Sequence, residues 1–319
     1  MGIIKTFANG FSLTKCHRRM PSGRQQPPEN VSLRSTPPLR FARGPPSYDA
    51  EGGTVSRRQL PPGQRMPNYC YLCGMEYRQL GKAEYDDLAA RILFEDNHLL
   101  VVCKRVGEIT QGDKTGDECL TEAYKAFIAQ RDGKPGKVFL GLPHRLDRPV
   151  SGICLLAKTS KALERLAAAF RDGDVHKTYW ALCCAKPEPP EGQLEGWLNR
   201  NEQQNKSYIV ADGAAPKPGR YPAAKLARLN YRYLRSTDRY HLVEVDLLTG
   251  RHHQIRCQLA HLGCPIKGDL KYGAPRSNPD GGICLHARRI RFTHPVRKEE
   301  MTVEAPVPAS WKFADQAGE

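Results

Sequence analysis

No apolar run in this chain reaches the roughly 18 residues that a membrane-spanning helix needs. Runs such as Leu99–Cys103 and Ile153–Ala157 hold about five each. A helical membrane protein is therefore excluded. A paired cysteine framework is missing too. The 11 cysteines are odd in number and irregularly spaced, and several sit in apolar runs, where cysteine acts as a small hydrophobe. That pattern excludes a secreted disulfide scaffold and points to a reducing compartment. Neither a glycine triplet nor a sustained heptad occurs, which removes collagen and coiled coils, and no repeat suggests a solenoid. Acidic residues are in deficit: 34 against 49 lysines and arginines, a net charge of +15. An imbalance this large favours a polyanionic partner, nucleic acid first.

The excess is uneven. Residues 1–65 hold 11 basic and three acidic residues, a net of +8, which leaves +7 for the other 254. They also hold nine of the 25 prolines, including four Pro-Pro pairs. A segment so poor in apolar residues cannot offset the entropy of ordering it, so a disordered basic arm is expected there. Its first twenty residues are basic, free of acids and weakly amphipathic, the composition of an organelle-targeting peptide. The competing readings are a plain basic arm and a start codon placed too far upstream.

Residues 66–90 are expected to form a short helical lead-in, 91–310 the folded body and 311–319 a tail. Ile92-Leu93-Phe94, an Asp96-Asn97 turn and Leu99–Cys103 predict a β-hairpin. Ser160 is the expected N-cap of a helix over Lys161–Arg171, with Leu163, Leu166, Ala167 and Phe170 on one face and Asp172-Gly173 as the stop. Val175–Ala185 and the alternating Tyr240–Leu248 predict strands. His253–Leu262 predicts a helix with Gly263 at C′. Strands and helices interleave without the regular βα alternation of a doubly wound sheet, so the expected class is α+β.

Two segments carry chemistry. In Pro143-His144-Arg145-Leu146-Asp147-Arg148-Pro149, one carboxylate stands between two arginines before an apolar strand. Adjacent cations would hold Asp147 ionised, and such a carboxylate on a loop can act as nucleophile or base. A structural ion pair in a turn is the competing reading. In Thr249-Gly250-Arg251-His252-His253-Gln254-Ile255-Arg256, the chain leaves a strand and enters a helix, presenting Arg251 near its N-terminus, where an anion would be attracted. The two histidines would point to different sides of the helix, and no third ligand stands at a metal-binding spacing. Cys70-x-x-Cys73 is half a zinc knuckle without its second pair.

These residues carry a resemblance. His144-Arg145-Leu146-Asp147 with Ser151-Gly152, then Lys177-Thr178-Tyr179, then Thr249–Arg256 followed by Gly268-Asp269, resemble the RluA-type pseudouridine synthases. The match runs in order from about Ile92 to Pro306. Lys267–Gly273 and His286–Arg289 are similar to bacterial members of the Bacteroidetes type. Departures are Val150 where the family usually has Thr, and Cys103-Lys104-Arg105 where it commonly has Asn-Lys-Pro. Residues 1–90 do not resemble the small RNA-binding module that many relatives carry.

The resemblance implies a mixed, largely antiparallel sheet with flanking helices and a central catalytic cleft. It implies isomerisation of uridine to pseudouridine in RNA, without cofactor or metal. Asp147 matches the catalytic aspartate, Tyr179 the tyrosine that stacks on the base and assists removal of the C5 proton, and Arg251 the arginine that pairs with the aspartate. Arg145, Arg148, His253, Gln254, Ile255 and Arg256 would line the substrate. The implied partner is RNA, ribosomal before transfer, bound by a monomer in the cytoplasm of a bacterium, or in a mitochondrion if the first twenty residues are a targeting peptide. An inactive RNA-binding or ribosome-assembly factor on the same fold is the alternative, against which Asp147, Tyr179 and Arg251 stand intact. A metal-dependent nuclease lacks the clustered carboxylates it would need.

Overall fold

The computed structural model describes residues 77–311 apart from 113–115, 134–135 and 218. The chain divides into Met1–Pro61 and Pro62–Glu319, and everything described lies in the second unit. The expected basic arm, the targeting peptide, Cys70 and Cys73 fall outside the described residues, as does the tail beyond Trp311.

Four helices and ten strands follow in the order α1 (Lys82–Ala90), β1 (Ile92–Glu95), β2 (Leu99–Lys104), α2 (Leu120–Asp132), β3 (Ser151–Ala157), α3 (Ser160–Asp172), β4 (His176–Cys183), β5 (Glu191–Asn201), β6 (Lys206–Asp212), β7 (Lys225–Ser236), β8 (His241–Leu247), α4 (Gln254–His261), β9 (Leu285–Thr293) and β10 (Glu300–Glu304), with a 3-10 turn over Leu270–Tyr272 before β9. The strands form one sheet in the order β1-β2-β3-β9-β4-β8-β7-β5-β6, with β10 also on β9. Every pairing is antiparallel except β3 with β9. The α+β class follows directly.

β2 and β3 are buried on both faces, which is why they read as unbroken apolar runs rather than alternating ones. Leu99, Val101, Ile153 and Leu155 face the main core. Leu100, Val102, Cys154 and Leu156 face a second cluster under α1 and α2. β7 shows the other pattern: Ala227, Leu229 and Tyr231 are buried while Arg228, Asn230 and Arg232 are exposed.

The helix expected after β3 is capped one residue earlier than expected. Thr159, not Ser160, accepts the Ala162 N–H on its hydroxyl and is the N-cap. The last expected helix begins at Gln254, because His253 adopts a left-handed conformation (φ 53°) and cannot be helical. Residues 77–90 of the expected lead-in pack on the body. Leu80 and Leu88 are buried in the second cluster, and the Tyr124 hydroxyl donates to the Leu88 carbonyl.

Candidate active site

Asp147 ends a loop that enters β3. The turn is closed by Val150 N–H donating to the Asp147 carbonyl. Behind it lies Lys104, a fully buried lysine at the end of β2. Its ammonium donates to the carbonyls of Arg105, Arg148 and Val150, at 2.9, 3.1 and 2.6 Å. Burial pulls its pKa down to about 8, still above neutrality, so the ammonium keeps all three protons for three acceptors. Gly152 follows at φ 112°, a conformation that suits glycine, and a Cβ there would run into the Ala287 backbone. Only glycine lets β3 and β9 approach so closely beneath the loop.

His144 braces the other side. It stacks on Phe170 at 4.7 Å, and its Nε2 accepts the Leu155 N–H. Burial, with a smaller contribution from Lys177, lowers its pKa to about 3, so the ring is neutral and carries its hydrogen on Nδ1.

Across a cleft of about 1040 Å³ stands the second motif. Gln254 ties it to the sheet: Thr249 Oγ1 and Arg251 N–H donate to its Oε1, and its Nε2 donates to the Arg228 carbonyl. Both polar atoms of that amide bond within the protein, so Gln254 shapes the loop that lines the cleft. Arg256, on the first turn of α4, grips Asp269 with two hydrogen bonds of 2.6 and 2.8 Å and points its third nitrogen at Asp147 Oδ2, 3.5 Å away. Burial opposes its charge, but the hydrogen bonds and charge of Asp269 outweigh burial and raise its pKa. Asp269 is 1% exposed, so this is a buried, fully formed fork.

The expected pairing of Arg251 with Asp147 is not what the structure contains. Arg251 lies before the left-handed residue His253, and its Nε donates to the Leu226 carbonyl. The chain reversal sends the two arginines of the motif to different surroundings, and Arg256 is the one beside the carboxylate. The arginines flanking Asp147 do not neutralise it either. Arg148 pairs with Asp117, and Arg145 is exposed on the cleft wall. Among the described residues, the side chains in ion-pair range of Asp147 are Arg256 and His253. The two histidines do not diverge. They stack at 3.8 Å, because His253 precedes the helix instead of lying in it. No cluster of three metal-ligating side chains occurs among the described residues.

Tyr179 enters the cleft from β4, between Val245 of β8 and Ala287 of β9. Burial raises its pKa, and the Asp147 charge adds to the effect, so the phenol stays protonated. Ile255 is buried beside it in the same cleft. Asp147, Tyr179, Ile255 and Arg256 are thus brought together from the loop before β3, from β4 and from α4. Sequence reasoning gave no role to Lys104, His144, Asp269 or Tyr272. A basic residue inside an apolar strand was the available signal for Lys104.

Residues 98–261 match the sequence profile of the RNA pseudouridylate synthase family. The chain belongs to that family. It is 32% identical over 231 residues to ribosomal large subunit pseudouridine synthase C of Vibrio vulnificus, covering 70% of this chain and 67% of the relative. It is 30% identical over 257 residues to the mitochondrial pseudouridylate synthase RPUSD4 of Xenopus tropicalis, covering 71% and 79%. The solved structure of human RNA pseudouridylate synthase domain containing 4 superposes with a TM-score of 0.61 at 27% identity, over 73% of this chain and 95% of that one. The family, of RluA type, makes this protein an isomerase that converts uridine in RNA to pseudouridine. The mixed, mostly antiparallel sheet is the pseudouridine synthase fold. No helix among the described residues is long and apolar enough to cross a membrane.

Proposed function

We propose that the protein modifies ribosomal RNA and that Asp147 is the reacting carboxylate. One observation carries the site assignment. Asp147, with a side chain 34% exposed, is the acid presented to the cleft beside an arginine already locked by a second acid. Asp269 saturates two nitrogens of Arg256, so Arg256 orients Asp147 without burying it. The reaction breaks the N1–C1′ bond, turns the base and joins C5 to C1′; the C5 proton is released to water and one proton is taken up from water at N1. Atoms balance without an added reactant. Tyr179 offers a flat apolar face for the extruded base, as enzymes acting on unstacked bases require, and Ile255 packs beside it. Arg145 and Arg251, both exposed on the cleft, face the phosphates that flank the base.

Ribosomal RNA is the proposed substrate because bacterial relatives are named for the large ribosomal subunit. Transfer RNA is the second candidate. Mapping pseudouridine in RNA from cells with and without the gene decides between them. The protein is proposed to work as a monomer in the cytoplasm. A mitochondrial setting is the alternative, given the relative named mitochondrial and the acid-free basic start of this chain, and N-terminal sequencing of the natural protein tests it. Asp147→Ala should abolish pseudouridine formation and leave RNA affinity within about twofold, since affinity is spread over many phosphate contacts. Near-normal turnover by that variant would remove Asp147 from the reaction.

A further inference from the structure

We infer that Tyr272 and His253 form a hydrogen-bonded relay that presents an imidazole N–H to Asp147, making both of them positioning residues for the reacting carboxylate. This rests on the reading of Asp147 given above.

The direction of the relay follows from counting protons. Tyr272 is 8% exposed, at the end of the 3-10 turn. Its oxygen accepts the Ser207 N–H at 2.9 Å. Its single proton has two possible acceptors, the Ser207 carbonyl at 3.2 Å and His253 Nδ1 at 3.1 Å. The Ser207 carbonyl already accepts the Cys257 thiol. Were the proton spent there, Nδ1 would have to carry the imidazole hydrogen. The bare lone pair of Nε2 would then face Asp147 Oδ2 at 3.6 Å. Giving the proton to Nδ1 removes that repulsion and fixes the tautomer with hydrogen on Nε2, aimed at the carboxylate. At 3.6 Å the contact is longer than a formed hydrogen bond, as is common before substrate closes a site.

The imidazolium alternative is closed off. Burial, then Arg256, His252, Lys271 and Arg200, lowers the His253 pKa to about 2. The ring is also held in place. His252 stacks on it at 3.8 Å, Tyr272 meets it edge-on at 5.6 Å, and the backbone is left-handed there. A neutral donor with one available tautomer and one orientation is suited to aiming a carboxylate, not to exchanging protons with it.

The test uses the full chain and 5-tritiated uridine RNA from cells lacking the gene, with single-turnover tritium release as the readout. Tyr272→Phe keeps the ring under the Arg256 guanidinium and removes only the hydroxyl. It should slow the single-turnover rate about tenfold, the weight of one hydrogen bond to a charged group, and leave the half-saturating enzyme concentration within about twofold. His253→Gln carries an amide N–H near the Nε2 position that needs no relay behind it. In that background, adding Tyr272→Phe should cost nothing further. If Tyr272→Phe fails to fold, His253→Leu against His253→Gln gives the same reading, with Leu slow and Gln fast. An unchanged rate in Tyr272→Phe, the same loss in both backgrounds, or equal rates for Leu and Gln would overturn the relay. Tritium release by Asp147→Ala would instead overturn the assignment of the carboxylate.

Discussion

Two arginines five residues apart in one motif have different tasks, and their surroundings tell them apart. Arg256 is 5% exposed and holds Asp269 through two nitrogens while facing Asp147 with the third. A lysine there has one nitrogen, so it can satisfy one acid and must leave the other short. Arg256→Lys should lower the single-turnover rate about a hundredfold and cost about 2 kcal/mol in urea unfolding, because Asp269 is buried and loses a partner. Arg251→Lys should stay within about threefold, since an ammonium can still meet a phosphate. Equal losses in the two variants would mean that the reacting carboxylate uses both. Sequence spacing could not separate these roles. The deciding feature is the left-handed backbone at His253; histidine is commoner there than most residues but marks it far less clearly than glycine would.

At the scale of elements, legibility tracked how each strand or helix is buried. Leu99–Cys103 and Ile153–Ala157 were readable because burial on both faces leaves no polar residue to interrupt them. The α3 helix was readable because one face alone is apolar. α2 is different: Thr121 and six apolar residues are buried around much of its circumference, and Cys119 makes no side-chain cap, so neither periodicity nor a start signal marks it. β5 contains two glycines, and β9 carries Arg288, Arg289 and Arg291, so local preference is weak in both and pairing makes them strands. Lys104 joins these levels, since it closes β2 and ties that strand's end to the Asp147 loop. Lys104→Met keeps the stem and removes the donor. Two carbonyls of the loop, at Arg148 and Val150, then lose their lysine partner. The expected cost is about 3 kcal/mol in urea unfolding, with a slower rate from a loosened loop. A variant as stable as the parent would show that water replaces the ammonium without penalty.

Among the described residues, burial lowers the pKa of His252 and holds three other histidines neutral. Their pKa values fall to about 3 at His144, about 2 at His253 and about 4 at His286, with nearby Lys177, Arg256 and Arg288 adding to the effect. Each folded value lies below the ordinary 6.5, so the unfolded chain binds protons that the folded one refuses. Their contribution to stability is therefore present above about pH 6.5 and is lost as pH falls toward the folded values of about 4, 3 and 2, with His144 alone contributing on the order of 2 kcal/mol between pH 6.5 and 5. The melting temperature should drop over that interval, less so in His144→Gln, and a flat profile would show that water reaches these rings. A second property of the whole concerns where the folded unit begins. The expected boundary at Arg91 cuts through a packed layer. The Tyr77 hydroxyl bonds the Val138 backbone, Leu80 exchanges hydrogen bonds with the Gln130 amide, and Arg91 itself pairs with Asp87 of α1. Leu80 and Leu88 each bury a side chain worth roughly 2 kcal/mol, and their removal also uncovers α2. A chain beginning at Met66 should therefore melt with the full protein, while one beginning at Arg91 should melt well below it or fail to fold. Equal melting temperatures for all three would mean that α1 rests on the body without stabilising it.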